Sequence, residues 1–414
     1  MADNLVIKNQ DLVELSSPVE GDVEIRNCRR LINPQGDKIV ITGTLRIVDE
    51  LEVDGSLECG RLESRSRDRI TIIGNLKVER AVTIPKGSLV VEGDADARDI
   101  DVGSSLVIRG NLVCVSAKAG GSVKVEGDAK AQRITGGGSV KIEGNTEVER
   151  LTGGGSVVIQ GQIKAEEFDA GGSGKTATGF IKKVSVGGSF KASDAIEIEN
   201  LDVGGAAKVG PGSNISSVDI GGTFKAGDGL KFGEIDVGGT VKIAGSASGN
   251  SIDVGGTVKT EGDLEVTEGL TVGGTVSVDG NLKSEGKIKV GGTVRAEGRI
   301  DTFRIIVGGS IRAQYIKATD GFRIGKRAEV EGFVESNEIL IRERARTDSL
   351  YGNDIRIEER ARVGNVYGKK IYIERDAIVE GELLYTDSLE AEEGVTFRTE
   401  PKKVDQLPPP EQLK

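Results

Sequence analysis

Gly171-Gly172-Ser173-Gly174-Lys175-Thr176 has the form of the end of a phosphate-binding loop, in which glycine-rich backbone cradles phosphates and a lysine reaches them. The full pattern needs another glycine five residues before Gly174, and that position is Asp169. No helical pattern follows to aim a helix N-terminus at an anion. The chain contains no histidine, which removes Ser–His and Cys–His nucleophile pairs, imidazole metal ligands and the commonest general base. Carboxylates are abundant, and a lone Asp/Glu pair of the polysaccharide-cleaving kind fits the residue types. They fall in regular columns, however, whereas a catalytic pair is expected to interrupt a repeat. A calcium-binding β-roll needs Gly-Gly-x-Gly-x-Asp at nine-residue spacing, but here Gly-Gly leads into Thr/Ser-Val-Lys. The expectation is therefore no catalytic residue, no cofactor and no metal.

The element that carries these residues is a repeat. The second glycine of a Gly-Gly pair falls at Gly121, Gly138, Gly155, Gly172, Gly188, Gly205, Gly222, Gly239, Gly256, Gly274, Gly292 and Gly309, sixteen to eighteen residues apart. That period is too short for a strand plus a helix and suits one coil of a β-solenoid. In Ile252-Asp253-Val254-Gly255-Gly256-Thr257-Val258-Lys259, period-two alternation points Ile252, Val254 and Val258 inward and Asp253 and Lys259 outward. Gly-Gly is expected to turn one corner by adopting positive φ. An acidic-Gly step such as Glu126-Gly127 or Glu261-Gly262 turns a second, and a looser third turn closes three short faces.

The fold class is thus all-β: a single-stranded, three-faced β-helix of about 17 residues per coil and roughly 21 coils. At the strand spacing of a stacked ladder it would be a rod on the order of 100 Å long. Residues 1–38 keep a looser period and read as entry strands or a cap. A continuous β-helix is expected over 39–398, with the Gly-Gly block at about 102–310 and charged coils at about 320–398. In those charged coils Ile324, Ile341, Ile357, Ile373 and Leu389 recur, as do Tyr351-Gly352 and Tyr367-Gly368. Residues 399–414 contain Pro401 and Pro408-Pro409-Pro410 and read as an extended tail that joins no ladder.

Two surface columns flank the Gly-Gly corner. After it comes a basic ladder: Lys124, Lys141, Lys175, Lys191, Lys208, Lys225, Lys242, Lys259, Arg295 and Arg312, interrupted by Val158 and Ser277. Before it lies a partial acidic column, Asp169, Asp202, Asp219, Asp236 and Asp253. Pairing across the corner would keep the surface soluble and discourage lateral sheet stacking. Alternatively, the basic stripe binds a partner or bundles neighbours laterally.

Of 414 residues, 61 are Gly and 8 Pro, with no Trp, which suits a thin aliphatic core and many tight corners. The net charge of −11 disfavours nucleic acid as a partner. Cys28, Cys59 and Cys114 are far apart and odd in number, which reads as reduced thiols in a cytoplasmic protein. There is no apolar run of transmembrane length, and the first residues lack the basic start and apolar stretch of a signal peptide. Membrane attachment has no sequence signal.

With its Val-Gly-Gly-Thr-Val-Lys and Val-Glu-Gly-Asp repeats, its short period and its charged coils ending in Val379-Glu380-Gly381-Glu382, the chain resembles the bactofilins, polymer-forming cytoskeletal proteins. The resemblance covers roughly residues 40–400. It implies a right-handed three-faced β-helix that polymerises end to end, without nucleotide, into non-polar filaments, and acts as a cell-shape scaffold. It supplies no catalytic residue. The chain departs from the family in being several-fold longer than a typical member and in lacking the membrane-targeting N-terminus of many.

Filament formation also follows from solenoid physics, because a terminal coil exposes unpaired N–H and C=O groups and an open core end. The sequence places these contacts at Ile39, Ile41, Leu45 and Ile47 in the first coils and at Leu383, Leu384, Leu389, Val395 and Phe397 in the last. The main partner is then the chain itself. The competing readings are a carbohydrate-active or acyltransferase-type solenoid enzyme, disfavoured by the missing histidine and drifting period, and a non-polymerising rod that docks partners on its basic ladder.

Overall fold

The computed structural model describes residues 4–413. The first three residues of the expected N-terminal segment and Lys414 of the expected tail therefore lie outside the described residues. The chain divides into two units, Met1–Lys208 and Val209–Lys414, each a parallel β-solenoid. Together they hold about 23 turns, against the roughly 21 expected.

In the first unit a representative coil has a short strand, Ser122–Val125, and a longer one, Ala129–Gly136. Val123, Val125, Ala129 and Ile134 are buried, while Lys124, Lys130 and Arg133 face outward. The next coil stacks in register seventeen residues on, Val123 on Val140 and Ile134 on Leu151. The ladder of the long strand runs through Ala131 and resumes at Arg133, and this bend makes the third face. Period-two patterning in runs of three or four residues is thus enough to close a thin aliphatic core.

The corners work differently from the expectation. None of the Gly-Gly residues has φ in the left-handed region. Glycine is needed there because the coils approach too closely for a side chain. A Cβ on Gly154 would lie 2.0 Å from the carbonyl oxygen of Gly137 one coil below, and one on Gly256 would lie 2.4 Å from that of Gly239. In the first unit several backbone bonds at this corner are short, Gly138 N–H to Gly121 O and Gly155 N–H to Gly138 O each being 2.6 Å.

The second corner is held by a column that the sequence reading missed. Asp94 N–H donates to Asn75 Oδ1 (2.8 Å), Asn111 N–H to Asp94 (2.7 Å), Asp128 N–H to Asn111 (2.9 Å), Asn145 N–H to Asp128 (2.7 Å) and Gln162 N–H to Asn145 (3.0 Å). The second unit repeats the device through Asp228, Ser246, Asp263 and Asn281. Short polar side chains that bond the backbone of a neighbouring turn satisfy N–H groups the strands cannot reach. Its signal was the Asn, Asp or Ser that follows Gly at the acidic-Gly step.

In the second unit the Gly-Gly coils give way to longer strands, Ile311–Ile324, Glu329–Ile341 and Arg346–Ile357. Their corners use a left-handed residue, Arg327, Arg344, Arg360 or Asp376, each at φ 57–58° and each followed by a buried alanine. The expected inward column Ile324, Ile341, Ile357, Ile373 is present, but a register shift sets Leu389 on Ile371 and Ala391 on Ile373.

The second unit also buries Thr260 between Ile243 and Val278, and its Oγ1 has no hydrogen-bond partner among the described residues. An unpaired hydroxyl in an apolar column carries its desolvation cost without return. Thr260→Val, which keeps the shape, is expected to stabilise the second unit by about 1 kcal/mol. A higher urea midpoint at unchanged slope would show it.

Candidate assembly edges and surface ladders

Ile39, Ile41, Leu45 and Ile47 do not form the first edge. They lie on Lys38–Ile47, fully buried, with Val23–Ile32 stacked on one side and Ser56–Ser64 on the other. The expected entry cap is itself built of coils. The sequence concealed this because Val23 pairs with Leu45, an interval longer than the sixteen to eighteen residues of the repeat, and no Gly-Gly pair marks these coils. The first described strand is Leu5–Glu14, which pairs with Val23–Ile32 and leaves its other edge unpaired among the described residues. Leu5 and Ile7 continue the inward column above Val23 and Ile25, so the core is open there. Leu5 is 41% exposed, Val6 43% and Leu12 44%.

At the other end, Leu383 and Leu384 are buried and Leu389, Val395 and Phe397 are half-buried. Leu383–Ala391 stacks on Val366–Ile373, and Thr396–Phe397 stacks on Ile378–Val379. Ser388 to Ala391 and Thr396–Phe397 have no strand on their far side among the described residues. Leu384 and Tyr385 do: Lys402–Lys403 pairs with them, and Val404 N–H donates to Tyr385 O at 2.9 Å. The tail therefore joins a ladder after all. Pro401 and Pro408 bracket residues whose N–H groups are free to pair, and the prolines act only where they stand.

The basic ladder is a true register column in each unit. Lys124, Lys141, Val158, Lys175, Lys191 and Lys208 stack in the first, as do Lys225, Lys242, Lys259, Ser277, Arg295 and Arg312 in the second. Its ion pairs do not cross the Gly-Gly corner to the Asp column. They run along the strand to a glutamate two residues on: Lys124–Glu126 (2.5 Å), Lys141–Glu143 (2.6 Å), Lys259–Glu261 (3.9 Å) and Arg295–Glu297 (2.6 Å). Arg312 meets Glu331 at 2.8 Å. Adjacent outward residues on one edge of a corner are closer than residues on its two sides. The lysine's hydrogen bond holds the Glu126 carboxyl below its ordinary range, whereas burial, with Glu167 beside it, pushes that of Asp169 up. Lys175, Lys191 and Lys208 have Ala177, Ser193 and Gly210 at the glutamate position and form no ion pair among the described residues.

The phosphate-loop look-alike is part of this repeat. Gly174 points inward, where a Cβ would meet Phe168 at 2.6 Å, and it makes room for the edge-to-face pair Phe168–Phe190 at 5.8 Å. Thr176 is fully buried and Lys175 stands in the outward column. The glycine and threonine face inward and the lysine outward, so they form no cradle.

Cys28, Cys59 and Cys114 are free thiols on strands. Burial, reinforced by nearby carboxylates, pushes Cys59 and Cys114 up to about 12. The thiolate is the reactive form, so at pH 8 only on the order of one such thiol in ten thousand is ionised. Folded protein is expected to leave both cysteines unlabelled by a thiol reagent over minutes, and guanidinium to expose all three.

These coils, corners and ladders define the protein as a parallel β-solenoid repeat protein. A closer relationship lies in the second unit, where residues 252–351 match the family described as Bactofilin, polymer-forming cytoskeletal. The match supports the resemblance read from the repeats over that segment, which holds both Gly-Gly coils and coils of the left-handed-corner type. No curated protein and no solved structure matches the chain. No helix among the described residues is long and apolar enough to cross a membrane.

Proposed function

We propose that this chain is a cytoplasmic, self-assembling structural protein whose copies stack end to end into nucleotide-independent filaments that serve as a scaffold. The observation that carries the reading is the open edge of Leu5–Glu14, with its exposed apolar residues and its core column uncovered. The partly open edge at Ser388 to Ala391 and Thr396–Phe397 supports it from the other end. Such edges are templates for another strand, and natural proteins usually blunt them with charge, proline or a covering segment. The polymer-forming description of the matching family points the same way. Of the C-terminal set, Leu389, Val395 and Phe397 remain at the open edge, Leu383 and Leu384 being buried and Leu384 already paired with the tail, and Leu5, Val6, Ile7 and Leu12 replace Ile39, Ile41, Leu45 and Ile47 at the other. Purified protein without nucleotide should sediment above a threshold concentration, and a wholly soluble protein at every concentration would count against assembly.

A second reading has one observation in its favour: the stack of Lys175, Lys191 and Lys208, which has no ion pair among the described residues and makes a strip of positive charge in an acidic protein. It would dock an anionic partner. Changing all three to Gln should abolish partner capture and bundling while leaving sedimentation of the protein alone unaltered; unchanged capture and bundling would dispose of the strip as a docking site.

A further inference from the structure

The second unit buries aromatic rings on its outside. Ile316, Val334, Val366 and Leu383 are core residues, and alternation turns their neighbours Tyr315, Phe333, Tyr367 and Leu384 away from the core. Yet Tyr315 is only 8% exposed, Phe333 6%, Tyr367 4% and Leu384 7%. These four form one stripe with Tyr351. Tyr315 and Phe333 stack at 5.9 Å, Phe333 and Tyr351 lie 6.4 Å apart, and the register sets Tyr351 on Tyr367 and Tyr367 on Leu384. In preceding coils the Tyr351 column carries Lys283, Asp301, Lys317 and Glu335, so the coil itself does not require aromatic residues there.

Arg299 lies over the Tyr315 ring and Glu335 meets its hydroxyl, and beside Tyr351 and Leu384 runs the tail. Lys402–Lys403 begins on the ladder beside Leu384 and Tyr385, and the chain then turns into the 3-10 turn Pro410–Gln412. Leu407, Pro408, Pro410 and Leu413 are half-buried, although no strand contains them. The Glu411 carboxylate comes near enough to Tyr351 to oppose ionisation of its phenol, to which burial is the larger contribution. From the Leu384 coil to the Tyr351 coil the tail therefore runs back across the turns. A proline-rich segment suits such a surface, because it is stiff beforehand, offers flat apolar rings and brings few N–H groups that need partners.

We infer that the stripe Tyr315–Phe333–Tyr351–Tyr367–Leu384 is a binding site for an extended proline-rich segment flanked by leucines, and that residues 407–413 of the same chain are its occupant. The docked tail also takes the ladder positions of Leu384 and Tyr385 that another coil would need. The stripe is thus a site that the chain fills itself and can vacate.

The test uses the full-length chain and a full-length variant with Pro408→Ser, Pro409→Ser and Pro410→Ser. Hydrogen exchange at Lys402 to Val404 is expected to be at least ten-fold faster in the variant. Near-UV dichroism, which has no tryptophan contribution in this chain, should report freed tyrosines. A synthetic peptide with the natural sequence of residues 400–414, added to the variant, should restore the tyrosine signal. Exchange and dichroism identical in the two chains would overturn the inference, as would a freed stripe that the peptide fails to cover. None of these readouts depends on whether the protein forms filaments.

Discussion

Gly154→Ala is expected to destabilise the first unit by about 3 kcal/mol, although it adds a single methyl at a surface corner. The added Cβ would stand 2.0 Å from the Gly137 carbonyl oxygen, and a heavy-atom approach below 3.0 Å is essentially never seen at a real Cβ. The coil must lift by about 1 Å or more, and the atom in the way is backbone, which cannot swing aside as a flexible side chain would. Lifting works against Gly154 N–H to Gly136 O (3.0 Å) and Gly155 N–H to Gly138 O (2.6 Å). Two such bonds at about 1 kcal/mol each, plus loosened packing of the Val157 and Leu151 core beside them, give the figure. Gly36→Ala is the control: its nearest atom would be 3.8 Å away, its φ is ordinary, and a change within about 0.5 kcal/mol is expected. Chemical unfolding of both variants checks the contrast, and equal stability would remove close approach as the reason for the Gly-Gly pair.

The second large effect concerns assembly. Leu5→Glu is expected to raise the threshold concentration for sedimentation roughly 1,000-fold while leaving the folded protein nearly as stable as before. Leu5 lies in the inward column but is 41% exposed, so the isolated chain gains only part of its burial. A second copy stacked on that edge would complete it. Losing about 2 kcal/mol of apolar burial, and adding about 2 kcal/mol to desolvate an unpaired carboxylate, amounts to roughly three decades in affinity. Phe397→Asp should act likewise from the C-terminal edge. Each variant keeps one edge intact, so each should stop at dimers if like edges meet, and the two should form dimers only when mixed if unlike edges meet. Unchanged sedimentation with Leu5→Glu would show that the exposed core end is not the contact.

The middle of the solenoid was legible because its signal repeats. Ile252, Val254 and Val258 fall inward and Lys259 outward as alternation requires, and twelve glycine pairs mark the corner again and again. What went unread was local or carried by pairs of coils. The purpose of Gly154 depends on where Gly137 lies, which no single coil reveals. The Asn and Asp side chains of the second corner look like ordinary turn residues until the coils are stacked. The first coils were hidden by one longer interval, Val23 to Leu45, which displaced the assumed edge from Leu5 to Ile39. Tyr351 and Tyr367 were noticed for their spacing, but their outward direction became informative only once Tyr367 proved to be buried and Tyr351 half-buried. Proline in the tail was read as a barrier to pairing along its whole length, whereas Lys402 and Lys403 between the prolines pair normally.

The central claim is that open solenoid edges drive copies of this chain to stack. Negative-stain electron microscopy of the purified full-length protein, in buffer without nucleotide and well above the sedimentation threshold of a first titration, tests it most directly. Thin, unbranched filaments that are lost with Leu5→Glu are the predicted result. Separate particles at the highest attainable concentration, with or without that substitution, would contradict it.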